Sequence, residues 1–479
     1  MSAYPEFIHR PTDARWQSKP QVAAELEHLQ LVQTEDARGR ILYASGEPWT
    51  GSWQSKRLTG DNMHSVRVAL HDERRATTKL QSTVVGTVGL PDRWPGPKSV
   101  QEQGRSGLEA TFDDALSGAR PGYAGWFENA GGAVTGQVRL IQAKRGADAR
   151  TTIDHAWQRA ADTALAASGV HEGAVVVLDV RSNRILALAS RGRKPTTNVA
   201  LKAQTPGSVF KIVTLSAALE SYRFHLQSAF TCVGHVVHPG VRMQCWTVHG
   251  RETLVQAFAQ SCDAAFAEVG IAVGRHALQR MAERYGLTQY GLQTKSGAPV
   301  IAQTEPGVVF RRVGTDAGLL ANTAIGQEDV RISPLAGANL AATLGRGGIA
   351  GPAQLVADLE RGGEVVRVYD SGRRWRAVSA ATAAQVRYAM RLAVTLPTGT
   401  AHWLASSLAH PAVKTGTAEL PDGRVNAWIV GLAPAESPQI AFCVYIGDTS
   451  SGRGHRAAKQ ITQAVLTSYT QFSARSVIG

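Results

Sequence analysis

Where the strand-forming runs fall constrains this chain most. AVVVLDV (174–180) and ILALAS (185–190) stand together around a polar turn, Arg181 to Arg184, and read as a β-hairpin. Three further strand candidates come only far downstream, at 411–418, at 425–432 (VNAWIVGL) and at 440–446 (IAFCVYI), joined by short Gly, Pro and Asp turns. The stretch between the two groups, about 206 to 400, has mostly helical patterning. The economical assembly is one antiparallel sheet of five strands, two from the start of the domain and three from its end, with a helical region inserted between them. An amphipathic helix closes the chain, with Ala457, Ala458, Ile461, Ala464, Val465, Tyr469 and Phe472 along one side. The expected class is α+β.

Upstream the texture differs. Residues 1 to about 150 mix short strand-like runs, such as VVGTVGL at 84–90, with glycine and proline breaks, so this part reads as irregular and β-rich. At 151 the run TTIDHAWQRAADTALAASG begins, with Thr152 or Asp154 as N-cap and apolar residues at helical spacing as far as Gly169. A boundary near 150 follows, giving a non-catalytic domain over 1–150 and a catalytic domain over 151–479. The chain has 479 residues and 43% hydrophobic content, enough for packed cores, and wholesale disorder is excluded. Its net charge of +13 is uneven: the first 150 residues carry +2 and the other 329 carry +11. A basic surface of this kind suits nucleic acid, anionic lipid or an anionic polymer, with a solvated face that meets no partner as an equal alternative; no arginine-rich run, CxxC pair or aromatic RNA-binding signature accompanies it, and no nucleic-acid site is expected.

The sequence contains no apolar stretch of membrane-spanning length, and MSAYPEFIHR lacks the apolar core of a signal peptide. The four cysteines, Cys232, Cys245, Cys262 and Cys443, are too few for a disulfide scaffold, and their spacing is not that of a zinc site. Only Cys232 and Cys245, bracketing a loop with Gly234, Pro239 and Gly240, suggest a bond, and two unpaired buried thiols are an equal alternative.

Chemistry concentrates in three places. Pro206 and Gly207 precede SVFKIVTLSAALE, a helix apolar on nearly every face and therefore buried. Lys211 inside it is costly as an ammonium unless paired or neutralised. Ser208 lies three residues earlier, one turn above, where a neutral amine can take the hydroxyl proton. The second place is KTGT at 414–417: Lys414 supplies fixed positive charge, Thr415 a hydroxyl, and Gly416 a position where another backbone can approach closely. The third is Ser261, Cys262 and Asp263 within the apolar stretch LVQAFAQSCDAAFAEVG, where polar groups need partners and a second hydroxyl can relay a proton to a leaving amine.

In this order, SxxK, SxD and KTG, the motifs resemble those of the penicillin-binding and penicillin-recognising serine enzymes. TPGSVFKIVT, TTID, SPLAGANLAATLGRGGI at 333–349 and KTGTAE followed by NAWIVGLAP are similar to transpeptidase-domain segments, and GRSGLEATFDDALSG at 104–118 resembles the linking segment of the class B penicillin-binding proteins. The resemblance implies a β-lactamase/transpeptidase-like catalytic domain whose five-stranded antiparallel sheet is packed by helices around a helical insert, preceded by a β-rich pedestal or dimerisation-like domain. It implies a peptidoglycan D,D-transpeptidase without metal or organic cofactor. Ser208 would be the nucleophile and Lys211 its base, with Ser261 a third catalytic group. Asp263, Lys414, Thr415, Gly416 and Thr417 would bind substrate, and the N–H groups of Ser208 and Thr417 would form the oxyanion hole.

Implied partners are peptidoglycan stem peptides or their lipid-linked precursor, β-lactams, and cell-division or elongation proteins meeting residues 1–150. The implied location is the outer face of a bacterial plasma membrane, although the usual N-terminal anchor is missing from this sequence. Alternatives are a D,D-carboxypeptidase or β-lactamase-like hydrolase, and a catalytically silent cell-wall scaffold. Two residues depart from the family pattern: Asp263 replaces the usual asparagine, so that when ionised it only accepts hydrogen bonds, and Glu328 stands where relatives usually have glycine.

Overall fold

The computed structural model describes residues 146–194, 197–289, 301, 304–369 and 372–478, together with 82–89, 103–116 and short strands before residue 142. The chain divides into two compact units, one made of Met1–Thr151 and Val356–Tyr369, the other of Thr152–Leu355 and Asp370–Gly479. The first unit is therefore discontinuous in sequence. Its closing element is an antiparallel three-stranded sheet of Asp148–Thr151, Val356–Arg361 and Glu364–Val368, in which Arg150 Nε donates to Asp358 Oδ1 at 2.9 Å. In the expected strand run 84–90, residues 84 and 85 instead end a short helix, Ser82–Val85, and only Val88–Gly89 pairs, with Gln103–Gly104; Leu90 lies outside the described residues.

The second unit opens on α1 (His155–Ala167), whose N-cap is Asp154: its Oδ1 accepts from the backbone N–H groups of Ala156 and Trp157 at 2.8 and 3.0 Å. Thr152, the other cap candidate, instead donates its hydroxyl to the carbonyls of Ile185 and Gln354. The strands β1 (Gly173–Asp179), β2 (Ile185–Arg191), β3 (Ala412–Glu419), β4 (Val425–Ala433) and β5 (Ile440–Thr449) form one antiparallel sheet in the order β2-β1-β5-β4-β3. The sheet is assembled from the two ends of the unit, as expected, with β3 at an edge.

Between β2 and β3 come α2 (Lys211–Glu220), α3 (Leu254–Ala259), α4 (Asp263–Arg284), α5 (Ala317–Ala324), α6 (Pro334–Gly345) and α7 (Ala380–Thr395). A hairpin of Ala229–Cys232 and Gly250–Thr253 interrupts the helices. The closing helix α8 (Ser451–Ile478) and α1 cover one sheet face, where Trp157, Leu165, Val175, Val177, Ile429, Phe442, Ile461 and Val465 share one core. Helix α6 packs on β1, β4 and β5. Coverage on both faces explains why every residue of β4 is buried and why, Asn426 apart, its sequence is apolar instead of alternating. Each large apolar side chain buried there stabilises the sheet by about 1.5–3 kcal/mol.

Candidate active site

The SxxK segment does not start as an α-helix. Gly207–Phe210 forms a 3₁₀ turn, and α2 begins at Lys211. At three residues per turn, residues i and i+3 eclipse, so Ser208 and Lys211 still share one face. Gly207 has φ +54°, and its N–H donates to the Gly326 carbonyl at 3.0 Å. Edge strand β3 lies directly against this turn: a Cβ on Gly416 would fall 2.6 Å from the Pro206 carbonyl oxygen. Glycine at 416 is thus required by backbone approach, as the sequence reading proposed for that position.

Three motif segments meet at Ser261. Lys211 Nζ donates to the Ser261 carbonyl at 2.7 Å, to Asp263 Oδ1 at 2.7 Å and, longer, to Ser261 Oγ at 3.3 Å. Lys414 Nζ donates to Ser261 Oγ at 2.9 Å and to the Thr415 carbonyl at 2.8 Å. Both lysines are fully buried. Burial first, and then the charge of Lys211, push the Lys414 ammonium well below its ordinary value, with Asp263 opposing. The Ser261 hydroxyl accepts from both lysines and so uses both of its lone pairs, which leaves its own proton directed elsewhere. Ser261 reaches this position through a left-handed backbone, φ +59°, uncommon outside glycine.

A cleft of about 500 Å³ opens at this junction, lined by Ser208, Ser261, Asp263, Thr415, Gly416 and Thr417 among others. Lys414, expected among the substrate-binding residues, is buried with its amine engaged by Ser261 and Thr415, while Thr415 and Thr417 line the cleft. Thr415 Oγ1 donates to Thr400 Oγ1 at 2.7 Å, and Thr417 Oγ1 lies 2.7 Å from His455 Nε2. Thr400, Trp403, His455 and Trp246 also line the cleft and were not singled out from the sequence, where no motif marks them.

A family model, the penicillin binding protein transpeptidase domain, matches residues 173–467. The chain belongs to the penicillin-binding protein transpeptidase family. The peptidoglycan D,D-transpeptidase PbpA of Mycobacterium tuberculosis (strain ATCC 25618 / H37Rv) is 30% identical over 376 residues, covering 68% of this chain and 73% of the relative. Stage V sporulation protein D of Bacillus subtilis is 27% identical over 384 residues, covering 73% of this chain and 57% of that relative. Among solved structures, penicillin-binding protein A from M. tuberculosis matches with a TM-score of 0.60 at 28% identity, over 69% of this chain and 83% of that one. Its ceftriaxone acyl-enzyme complex matches with a TM-score of 0.57 at 27% identity, over 68% and 81%.

Two further features set this penicillin-binding protein apart from the pattern of its motifs. Glu328, expected to stand where glycine is usual, adopts φ +56°, the left-handed region that glycine enters without strain, and its carboxylate pairs with Arg312. Of the two readings of Cys232 and Cys245, the unpaired one holds. All four are free, so Cys232 and Cys245 form no disulfide. Instead the ligand atoms of Cys232, Cys245, His249 and Cys262 lie within 4.8 Å of one another, although their linear spacing matches no familiar metal motif.

Proposed function

We propose that this chain cross-links peptidoglycan as a serine D,D-transpeptidase, with Ser208 as the nucleophile. The observation that carries this reading is the convergence of Lys211 and Lys414 on Ser261, with Asp263 paired to Lys211, beside a cleft that Ser208 lines. Ser208 Oγ attacks the carbonyl between the two terminal D-alanines of a stem peptide, and the hydroxyl proton passes to Lys211. The backbone N–H groups of Ser208 and Thr417 receive the developing oxyanion, each such donor contributing about 3 kcal/mol to the transition state. Ser261 delivers its proton to the departing D-alanine nitrogen and is reprotonated by the Lys211 ammonium, which returns Lys211 to the neutral amine. An amine from a neighbouring stem peptide then attacks the acyl-enzyme and forms the cross-link.

Within this reading Thr415 and Thr417 bind the substrate carboxylate, Lys414 positions Ser261, and Gly416 lets β3 close on the nucleophile's turn. Asp263 takes one Lys211 proton contact. A β-lactam acylates the same serine and blocks it. No cofactor enters any of these steps. The first unit serves as a pedestal offering a surface to division or elongation proteins, and catalysis occurs outside the plasma membrane, where the polymer lies. Among the described residues no helix is long and apolar enough to cross a membrane.

Intact mass spectrometry after incubation with benzylpenicillin, followed by peptide mapping, tests the reading. A persistent adduct of one penicillin on the peptide containing Ser208 is expected. An adduct elsewhere, or none on folded protein, overturns it.

A further inference from the structure

Behind the Ser261 turn lies a cluster that the proposed chemistry does not use. Cys232 ends the strand Ala229–Cys232, Cys245 and His249 sit on the following loop, and Cys262 is the N-cap residue of α4. We propose that Cys232, Cys245, His249 and Cys262 bind one zinc ion, which braces the turn carrying Ser261 and Asp263.

Geometry comes first. Cys245 Sγ lies 3.9 Å from Cys262 Sγ and 3.5 Å from His249 Nδ1. A tetrahedral ion with Zn–S of about 2.3 Å and Zn–N of about 2.0–2.1 Å requires ligand separations of about 3.8 Å for two sulfurs and about 3.6 Å for sulfur and nitrogen. A disulfide requires sulfurs about 2.05 Å apart and would engage only two of the four groups. Cys232 and Cys262 are buried, while Cys245 and His249 are half-buried. Three thiolates with one imidazole form a soft donor set that favours zinc over magnesium, calcium or manganese, and four protein ligands make a closed, structural site.

The surroundings suit thiolates. Cys245 Sγ accepts the backbone N–H of Asp263 at 3.2 Å, and Cys262 Sγ accepts that of Ala265 at 3.5 Å. Such N–H donors are the outer contacts that orient sulfur ligands. Two buried polar atoms nearby, His249 Nε2 and Glu252 Oε1, have no protein partner, as expected where a ligand or water completes the site. Binding releases the thiol protons and forms three Zn–S bonds and one Zn–N bond with no change of oxidation state.

The position gives the ion a purpose. Cys262 is the middle residue of the Ser261–Asp263 motif, whose first residue holds a left-handed conformation. Trp246, one residue after Cys245, lines the cleft and packs edge-on against His249 with ring centroids 5.1 Å apart. A metal here would tie a cleft wall and the central motif to one fixed point.

The test uses the full chain purified without chelator, with elemental analysis, intact mass under non-reducing conditions, and cobalt substitution read by absorption. About one zinc per chain is expected, with thiolate-to-cobalt charge transfer and tetrahedral ligand-field bands in the substituted protein. Zinc content should fall at least about tenfold in Cys232→Ser and in His249→Ala and persist in Cys443→Ser, whose sulfur is not a ligand. Circular dichroism checks each variant's fold, and the cobalt spectrum of the unaltered chain needs no variant at all. A mass showing a Cys245–Cys262 disulfide, a metal-free chain that takes up no added zinc, or undiminished zinc in folded Cys232→Ser overturns the proposal.

Discussion

The two walls of the cleft each deliver a lysine to Ser261, and they are built in opposite ways. Lys414 comes from β3, where it sits in an antiparallel ladder opposite Val430 and every neighbour is fixed by strand register. Lys211 and Asp263 come from the insert, Lys211 from the first residue of α2 just after a 3₁₀ turn and Asp263 from a helix capped by a sulfur next to a left-handed serine. One wall is positioned by repeating backbone hydrogen bonds and the other by individual side-chain contacts. The same chemistry therefore depends on backbone clearance on one side and on specific partners on the other.

The largest expected effect falls where the walls meet. Ser208→Ala should abolish covalent labelling by benzylpenicillin while the melting temperature stays near that of the parent, since alanine fits the same turn. An intact adduct on this variant would move the nucleophile elsewhere. Next comes the strand wall. In Gly416→Ala the new methyl would lie 2.6 Å from the Pro206 oxygen and 3.1 Å from the Val209 nitrogen, both backbone atoms that cannot give way cheaply. The strand must shift, and a displacement of about 1 Å costs about 100-fold in acylation rate. An unchanged second-order rate would mean that β3 is not held against the nucleophile's turn.

On the insert wall the expected effect is smaller and of opposite sign. Asp263 draws one Lys211 proton toward itself at 2.7 Å, away from the role of base. Asp263→Asn should speed β-lactam acylation by about tenfold, within the range that general-base effects span. A slower variant would show that the carboxylate assists the reaction.

The smallest effect separates the lysines by pH. The folded Lys414 ammonium titrates well below its ordinary 10.5, so between those values the unfolded chain holds a proton that the folded chain lacks. Stability from this group therefore rises with pH across that window and is weakest at its acid end. Lys414→Met removes that rise. Denaturant melts at about pH 7 and about pH 10 should show the parent gaining on the variant, and parallel behaviour would mean that Lys414 stays charged in the fold.

The strand wall was legible in the sequence because ladders leave a periodic, apolar record: the runs at 174–180, 425–432 and 440–446 all became strands of one sheet. Lys211 was legible because a lysine in an otherwise apolar helix must have a reason to be there. The insert wall was harder to read. Nothing in the triplet Ser261–Asp263 announces a positive φ, and ligands thirteen, four and thirteen residues apart are brought together only by the hairpin and the start of α4. Glu328 was noticed as an odd residue, and the backbone supplies the reason that glycine is usual there. The strand Glu364–Val368 was hidden by its exposed positions, where side chains carry little pattern.

The return of Val356–Tyr369 to the first unit also bears on the chain's synthesis. The sheet that holds Asp148–Thr151 lacks its other two strands until about 200 further residues have left the ribosome, a wait of about 10–40 seconds at about 5–20 residues per second. During that interval the edge at 148–151 is unpaired and open to wrong partners. The second unit waits longer still, because β1 and β2 lack a further strand until β5, which pairs with β1, emerges about 250 residues later. The units are thus closed in a fixed order, and a nascent chain stalled between residues 369 and 412 would hold every segment of the first unit while the second unit's sheet still lacked β3, β4 and β5.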